Sequence, residues 1–240
     1  MSSESLRFYT ICTQNGVLLS NNQLSLFEKY ALLIRRWNKQ INLISRKDED
    51  HIWENHFLHS ASLLFRVKLP PDGRILDIGT GGGLPGIPIK IVHPELAITL
   101  MDATQKKTEA LKSILGELGY DDVPVVWGRA EEIGKRKEHY QSYDIAIARA
   151  VAPLHDLVKW SRLFLRHSEK SIEVSSGGTR PPEQIPAPAL IAFKGGDLDA
   201  ELASLRRFKN IHQTKIIDLV FHGSENVTLT NKKLVIVSFR

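Results

Sequence analysis

The most constraining feature of the sequence is a glycine-rich loop that directly follows an apolar segment. The segment Arg74–Ile78 has the composition of a buried strand, and the loop after it carries glycines at positions 79, 81, 82, 83 and 86. Because glycine lacks a Cβ and tolerates positive φ, such a loop turns tightly and lets a ligand approach the backbone. A helix that begins at the end of the loop would offer its unpaired N–H groups to the same ligand. The pattern therefore predicts a nucleotide-type binding site at the end of this strand.

An acidic residue follows the loop where a ribose partner is expected. Asp102 ends the next apolar run, 23 residues after Gly79, and a carboxylate there can accept both hydroxyls of a ribose. The glycine spacing also satisfies G-x-G-x-x-G, so an NAD-dependent oxidoreductase stays open as an alternative. Asp77 would repel a pyrophosphate but suits the amino group of a methionine moiety, and Pro85 interrupts the helix start that a dinucleotide fold uses. These features favour S-adenosylmethionine as the ligand.

Short apolar runs alternate with helical patterns from residue 71 onward. Runs that are apolar along their whole length are usually buried on both faces, so they predict a parallel sheet between two helix layers. The last two runs are separated only by the short polar stretch 222–231, which predicts an antiparallel hairpin at the sheet edge. The seven predicted strands are Arg74–Ile78, Ala97–Met101, Val123–Trp127, Tyr143–Ala148, Ala189–Phe193, Lys215–Phe221 and Leu234–Phe239. This α/β plan, a Rossmann-like seven-stranded sheet, is that of the class I S-adenosylmethionine-dependent methyltransferases.

Residues 1–70 predict a helical N-terminal extension, ahead of a sheet domain at residues 71–240 in one globular unit. Ser20 and Gln23 have the spacing of a capping box, and apolar residues then recur at helical intervals. A second helical pattern follows Asp48 and stops before Pro70, whereas residues 1–19 show little periodicity.

Two helices and one loop are predicted inside the sheet domain. The helices are Thr104–Leu118, with Gly119 suited to its C-terminal cap, and Pro153–Leu165. The stretch 168–188 is rich in Gly, Pro and Ser and predicts a mobile loop.

Polar residues also follow the later strands, at the sheet edge where open α/β folds bind ligands. Ala130 and Glu131 come after the third strand and are placed to contact an adenine, although acids in the first turn of any helix give the same pattern. Arg149 ends the fourth strand and requires an anionic partner, which is a methionine carboxylate, an RNA phosphate or a structural acid. Lys194 ends the fifth strand, either as a phosphate ligand or as a solvated turn residue.

Composition and terminal sequence patterns limit which cellular compartment and which kind of binding partner we expect. No apolar run is long enough to span a bilayer, no secretory signal pattern is present at the N-terminus, and the single cysteine excludes an internal disulfide, so we expect a cytoplasmic protein. The net charge of +5 is compatible with a polyanionic partner. Basic residues that could meet phosphates occur at Arg35, Arg36, Lys39, Arg46 and Lys47, and again at Lys135, Arg136 and Lys137.

Two motifs that mark methyl acceptors are missing. Methylation of a pyrimidine carbon usually requires a cysteine nucleophile, and Cys12 lies outside the predicted sheet. Exocyclic amines are commonly held by an Asn/Asp-Pro-Pro-aromatic motif after the fourth strand, where this chain has Ala-Arg-Ala-Val instead. A ring nitrogen of guanine, which needs no base, is consistent with both observations.

The run Asp-Ile-Gly-Thr-Gly-Gly-Gly-Leu-Pro-Gly-Ile-Pro at 77–88 resembles the family of small-subunit ribosomal RNA guanine-N7 methyltransferases, also called glucose-inhibited division protein B. Matching segments in the same order cover about residues 25–200. They are Asn42–Ile44, His56, Ser60, Leu100–Asp102, Arg129–Glu131, Arg149–Ala150 and Lys194–Gly195. The resemblance implies S-adenosylmethionine-dependent methylation of N7 of one guanine in the decoding region of bacterial 16S ribosomal RNA.

The resemblance also implies cofactor contacts at Gly79, Leu84, Ala130, Glu131 and Arg149, with Asp102 on the ribose, and a helical region that engages RNA. With the glycine loop included, the candidate cofactor-binding residues are Gly79, Thr80, Gly81, Gly83, Leu84, Asp102, Ala130, Glu131 and Arg149, and the candidate catalytic residue is Arg149. We expect a monomer without membrane association. The family pattern His-x-x-Asp-Ser reads His56-Phe-Leu-His59-Ser60 here, so a role that needs an acid at that position is not carried over.

Two further alternatives stay open beside this interpretation and the oxidoreductase. A methyltransferase of the same fold that acts on a small molecule or a protein would work without ribosomal RNA, and a non-catalytic RNA-binding protein would bind RNA regardless of the methyl donor. A metal site at His51, His56 and His59 is disfavoured because only His56 and His59 share a helical face and no Cys or carboxylate completes a ligand set. We therefore expect no metal.

Overall fold

The computed structural model describes residues 2–175, 181–227, 229 and 231–240. Its strands are β1 (Val67–Lys68), β2 (Arg74–Ile78), β3 (Ala97–Asp102), β4 (Val125–Trp127), β5 (Ile145–Arg149), β6 (Ser171–Val174), β7 (Glu183–Pro186), β8 (Ala189–Gly195), β9 (Ile211–Asp218) and β10 (Lys232–Phe239). Seven of them form the central sheet in the order β4-β3-β2-β5-β8-β10-β9. The pairs from β4 to β8 are parallel.

The seven predicted strands are all present, with their ends displaced by a few residues, and β2 begins and ends as predicted. β10 is antiparallel to both β8 and β9, so the antiparallel hairpin predicted at the sheet edge is confirmed. Parallel order with a terminal antiparallel pair brings the carboxyl ends of β2, β3, β4 and β5 to one edge of the sheet.

The helices flank this sheet. They are α1 (Ser3–Gln14), α2 (Asn21–Asn38), α3 (His59–Ala61), α4 (Gly86–Val92), α5 (Gln105–Leu118), α6 (Ala130–Ile133), α7 (Leu154–Phe164) and α8 (Asp199–Leu205). A π-helix, Trp53–Leu58, leads into α3, and short 3₁₀ turns occupy Arg46–Asp48 and Ser224–Asn226. The predicted capping box of Ser20 and Gln23 is formed at α2, and Gly119 ends α5 in the left-handed conformation at φ 81°.

The start of the chain differs from its sequence pattern in two places. Residues 3–14, which show little periodicity, form α1, whose buried face carries Ser5, Phe8, Ile11 and Cys12. The helix predicted after Asp48 is shorter than expected, since it ends at Ala61 and gives way to turns before β1.

The prediction of a mobile loop over 168–188 was also wrong wherever that stretch is described. β6 pairs with β1 on one side and with β7 on the other, in a separate three-stranded sheet. Ile172, Val174 and Ile185 are fully buried and hold this sheet in place. Residues 176–180 of the predicted loop lie outside the described residues.

The N-terminal helices share the core of the sheet. One buried apolar cluster contains Phe27 and Ile34 of α2 together with Ile75 of β2 and Leu100 of β3. The Tyr30 hydroxyl donates a 2.6 Å hydrogen bond to the carbonyl of Gly82, which fixes α2 against the glycine loop. The helical region therefore forms part of the scaffold around the sheet edge. In the described part of the chain, no helix combines the length and apolar character needed to cross a bilayer.

Candidate functional site

A cavity of about 600 Å³ opens at the carboxyl edge of the central sheet. The glycine loop after β2 and Asp102 at the end of β3 form one side of it. Residues between Leu43 and His59 from the N-terminal region form the facing side, and Arg149 with Ala150 extends the lining from β5. The volume falls in the range of sites that enclose a cofactor-sized molecule.

The first glycine of the loop is required by its backbone and by its neighbour. Gly79 has φ 68°, and a Cβ at this position would lie 2.6 Å from Cγ2 of Val151, which follows β5. Left-handed backbone and lack of space exclude a side chain together. The loop therefore brings bare backbone to the cavity wall, as the sequence predicted.

Asp77 holds this loop in place through hydrogen bonds. Its Oδ2 accepts hydrogen bonds from the Thr80 hydroxyl at 2.6 Å and from the Gly86 N–H at 2.8 Å. Burial raises the pKa of the Asp77 carboxyl to about 6, in spite of these bonds. Its Oδ1 is buried without a hydrogen-bond partner, and Asp77 does not line the cavity. The carboxylate therefore stabilises the turn, a role that differs from the contact with a methionine amino group inferred from the sequence.

Asp102 lines the cavity at the end of β3 and is 7% exposed. Its Oδ2 accepts the Gly81 N–H at 2.9 Å, and its Oδ1 accepts the Thr104 N–H at 2.8 Å. Each carboxylate oxygen has a further lone pair. The side chain is thus held by the backbone in one orientation and can still accept two hydroxyl groups.

Arg149 reaches the cavity from the end of β5 and contacts the N-terminal region. Its Nη2 donates to Nδ1 of His56 at 3.0 Å, and its Nη1 donates to the carbonyl of Asn55 at 3.2 Å and lies 3.5 Å from Nδ1 of His59. Burial lowers the pKa of the guanidinium to about 10, and the charge of Asp77 opposes this effect.

No carboxylate forms an ion pair with Arg149 in the described part of the chain. The partners of its guanidinium are neutral acceptors, although a buried positive charge is best compensated by an anion. The structural-acid alternative for Arg149 is therefore not supported, and the guanidinium presents its charge to the cavity.

Several sequence-predicted residues come together in this cavity and several do not. Those that line it are Gly79, Thr80, Gly81, Leu84, Asp102 and Arg149. Gly83 is buried beneath the loop, next to Ile87 and the Tyr30 hydroxyl. Ala130 is buried and Glu131 is exposed at the start of α6, and neither lines the cavity.

Lys194 matches neither of its two sequence interpretations. Its Nζ forms an ion pair with Glu201 at 2.6 Å and donates to the carbonyl of Ala152 at 2.9 Å. The Glu201 carboxylate also accepts the N–H of Leu154 at the start of α7. Lys194 is therefore a structural cation that ties β8 to α7 and α8.

The sequence reasoning missed the polar residues that the N-terminal region contributes. Asp48 and Asn55 both line the cavity, and the Asn55 side chain donates to Oδ1 of Asp48 at 2.8 Å. Ala150 was also missed as a strained residue, since it has φ 56° beside the cavity. The resemblance included His56 and the segment Arg149–Ala150, whereas no local pattern marks Asp48 or Asn55. Within the described residues, no three His, Cys, Asp or Glu side chains form a group suited to a metal ion.

The basic residues near α2 divide into two sets. Arg35 donates to the Glu49 carbonyl and Arg36 pairs with Glu117, so both are used within the protein. Arg46 is exposed and lies with Lys107 along a groove of about 430 Å³. This groove is continuous with the cavity, since Lys107 and residues 43–45 line both. Neither cation forms an ion pair in the described part of the chain.

The wall between cavity and groove is preorganised by one buried amide. Oδ1 of Asn38 accepts the N–H groups of Leu43 and Ile44 at 2.7 and 3.1 Å, and its Nδ2 donates to Glu49 at 2.6 Å. Leu43 then lies directly over Gly81 and Gly82. The loop after α2 is thereby fixed against the glycine loop.

The family model and the similar proteins of known sequence agree on one family. The family model for GidB, rRNA small subunit methyltransferase G, matches residues 23–178. The protein named ribosomal RNA small subunit methyltransferase G of Chlorobaculum tepidum is 33% identical over 94% of both chains, and that of Moorella thermoacetica is 32% identical over 84% of both. The protein of the same name from Alkaliphilus metalliredigens is 39% identical over 65% of both chains.

Solved structures agree on the fold at low sequence identity. An O-methyltransferase from Bacillus cereus, solved in complex with SAH, superposes with a TM-score of 0.54 at 14% identity and covers 98% of this chain and 99% of its own. A fibrillarin/Nop5p complex superposes with a TM-score of 0.52 at 12% identity over 75% of this chain and 80% of that one. Both likenesses concern the fold alone, which is the class I methyltransferase architecture predicted from the sequence.

Proposed function

The chain belongs to the rRNA small subunit methyltransferase G family, and we propose that it methylates N7 of a guanine in 16S ribosomal RNA with S-adenosylmethionine as the methyl donor. The observation that carries this proposal is the cavity where the glycine loop, Asp102 and Arg149 meet at one sheet edge. Within it, a carboxylate with free lone pairs and a guanidinium without an anionic partner face a loop of bare backbone.

These residues fit the parts of S-adenosylmethionine. Asp102 would accept the ribose hydroxyls, and Arg149 would bind the methionine carboxylate, which supplies the anion that its guanidinium lacks. The backbone of Gly79, Thr80 and Gly81 would lie along the donor. Leu84 would contact the donor at the cavity wall, and Gly83 would shape the turn. Ala130 and Glu131, after β4, would lie on the adenine side.

Methyl transfer to N7 requires little from the protein beyond the positioning of donor and acceptor. S-adenosylmethionine supplies an electrophilic methyl group, and N7 of guanine offers a lone pair without a proton to remove. No general base is then needed, and the chain's own residues act by orienting donor and acceptor. Cys12 is fully buried, and burial raises the pKa of its thiol, which argues against a cysteine-dependent methylation at carbon.

RNA is the substrate class that the surface beside the cavity favours. Arg46 and Lys107 border the groove that leads into the cavity and are available for backbone phosphates. We assign residues 1–70 to RNA engagement on this basis, and we propose that the protein acts as a cytoplasmic monomer. A small-molecule methyltransferase would have no use for an open cationic groove.

Incubation with radiolabelled S-adenosylmethionine and small ribosomal subunits that lack the modification tests the proposal. We expect stoichiometric label in 16S ribosomal RNA, and strand cleavage at N7-methylguanine should map it to one guanine. Subunits that already carry the modification are the control and should take up no label. Label at another atom, or no label with purified and correctly folded protein, would contradict the proposal.

A further inference from the structure

Resting on the proposed function, the geometry points to His56 as a positioning residue that orients the Arg149 guanidinium toward the methionine carboxylate of the donor. His56 lies in the π-helix Trp53–Leu58 and lines the cavity beside Arg149. It is separated from Arg149 by 93 residues along the chain, so the contact depends on how the N-terminal region packs on the sheet.

The contact defines the protonation state of His56. The guanidinium is only a donor, so Nδ1 of His56, 3.0 Å from Nη2, must be the unprotonated acceptor. The proton of the neutral ring is then on Nε2, which lies 3.6 Å from Oδ2 of Asp48. Burial and the charge of Arg149 lower the pKa of His56 to about 4 against the opposing effect of Asp48, which agrees with a neutral ring.

Asp48 is in turn held by the element that carries His56. The Asn55 side chain donates to Oδ1 of Asp48 at 2.8 Å, and the Asn55 carbonyl accepts from Nη1 of Arg149 at 3.2 Å. Hydrogen bonds therefore join Arg149 to His56 and Asn55, and Asn55 to Asp48, whereas Nε2 of His56 faces Asp48 without a hydrogen bond. The other charged or titratable neighbours of the guanidinium are His59, Asp77 and Tyr30.

These contacts fix both terminal nitrogens of a flexible side chain, Nη1 by the Asn55 carbonyl and Nη2 by the His56 imidazole. Arginine has several rotatable bonds, and an anion gains most from a guanidinium whose orientation is set before the ligand arrives. No ion pair within the described residues does this for Arg149, and His56 is the side chain that holds Nη2. π-helical segments often occur at functional sites for such local adjustments.

Two probes separate positioning from general support of the cavity. S-adenosylhomocysteine carries the amino-acid part with its carboxylate, whereas 5′-methylthioadenosine has the same thionucleoside with a methyl group in place of the whole amino-acid part. We expect His56→Leu to weaken S-adenosylhomocysteine binding about tenfold by calorimetry and to change methylthioadenosine binding by less than about twofold. Arg149→Gln should show the same selectivity with a larger loss.

Polar variants test which atom of His56 matters. His56→Asn keeps an acceptor near the position of Nδ1 and should lose less than about threefold, whereas His56→Gln places its amide further out and should behave like His56→Leu. This pair decides the question even if the leucine variant does not fold. His93→Leu, at a half-buried histidine outside the cavity, is the matched control and should bind both probes as the wild type does.

Equal weakening of both probes by His56→Leu would make His56 a packing residue, and equal effects of the Asn and Gln variants would show that its acceptor atom is irrelevant; either result overturns the inference. If Arg149→Gln is selective while His56→Leu leaves both affinities unchanged, the inference fails and the proposed function stands. If Arg149→Gln shows no selectivity, the assignment of the carboxylate to Arg149 fails, and the role of His56 falls with it.

Discussion

Oδ2 of Asp102 accepts a 2.9 Å hydrogen bond from the N–H of Gly81, so the carboxylate that ends β3 also holds the glycine loop that follows β2. Its other oxygen is held by Thr104 at the start of α5. The ribose partner and the loop are therefore one unit, and a change at Asp102 acts on both.

Replacing Asp102 should reveal this double role. Asp102→Ala removes the ribose acceptor and both backbone contacts, and we expect S-adenosylhomocysteine affinity to fall at least tenfold, since hydrogen bonds to a charged group contribute about 1.5–3 kcal/mol. Asp102→Asn keeps one acceptor oxygen and should lose less. Calorimetry measures both, with exposed Asp50→Asn as the control; an unchanged affinity for the alanine variant would refute the ribose assignment.

Gly79→Ala should destabilise the protein through strain and a clash. Its φ of 68° costs about 1 kcal/mol for alanine, and the new Cβ would meet Val151 at 2.6 Å. Gly119→Ala is matched, because φ is 81° and nothing lies within 4 Å, so it should show the backbone cost alone. We expect the Gly79 variant to lose about 1–3 kcal/mol more in urea unfolding. Adding Val151→Ala should recover part of that excess. Equal losses of unfolding free energy for the two glycine variants would mean that the Val151 side chain moves aside without cost.

Asp77→Asn should change how stability depends on pH. Burial raises the pKa of Asp77 in the folded protein to about 6, above its ordinary value of 3.8, so the buried charge lowers the free energy of unfolding at pH 7. As the pH falls through 6, the folded state takes up the proton more readily than the unfolded state, and the wild type gains stability. Relative to Asp77→Asn, we expect a gain of about 1–3 kcal/mol between pH 7 and pH 4.

His56 and His59 oppose this gain, because their lowered pKa values make acidification destabilising. Both residues are present in the wild type and in Asp77→Asn, so the difference between the two proteins isolates Asp77. Parallel pH profiles of the unfolding free energy would show that Asp77 does not titrate in this range.

The salt dependence of binding to small ribosomal subunits should locate phosphate contacts. Arg46→Gln and Lys107→Gln should each lower the slope of log K against log[salt] by about 1 if each cation meets one phosphate. Lys209→Gln removes the same charge near β9, at the opposite edge of the sheet, and should leave the slope unchanged. A slope that none of the three changes would exclude the groove beside the cavity as an RNA contact.

The sheet was predictable because its signals are local. Parallel strands such as β2 and β5 are mostly apolar and buried at four of their five positions, and Gly119 marks the end of α5. The second sheet was not predictable, because β1 has only two residues and β6 lies in a stretch rich in Gly, Pro and Ser. Strands this short contain too few positions to show a periodicity.

The candidate site likewise has residues that could be predicted from the sequence and residues that could not. Asp102 ends β3 and Arg149 ends β5, the two strands that flank β2, so topology alone places them at one edge. The wall contributed by Asp48 and Asn55 depends on long-range packing, since Asn55 meets Arg149 across 94 residues. Lys194 could not be assigned either, because its ion pair with Glu201 depends on where α8 begins.

A crystal structure with S-adenosylhomocysteine tests the central claim most directly. We predict that the ligand lies in the cavity beside Gly79, with its carboxylate within hydrogen-bond distance of the Arg149 guanidinium and its ribose hydroxyls on Asp102. A ligand bound elsewhere, or one in the cavity with its carboxylate away from Arg149, would contradict the account.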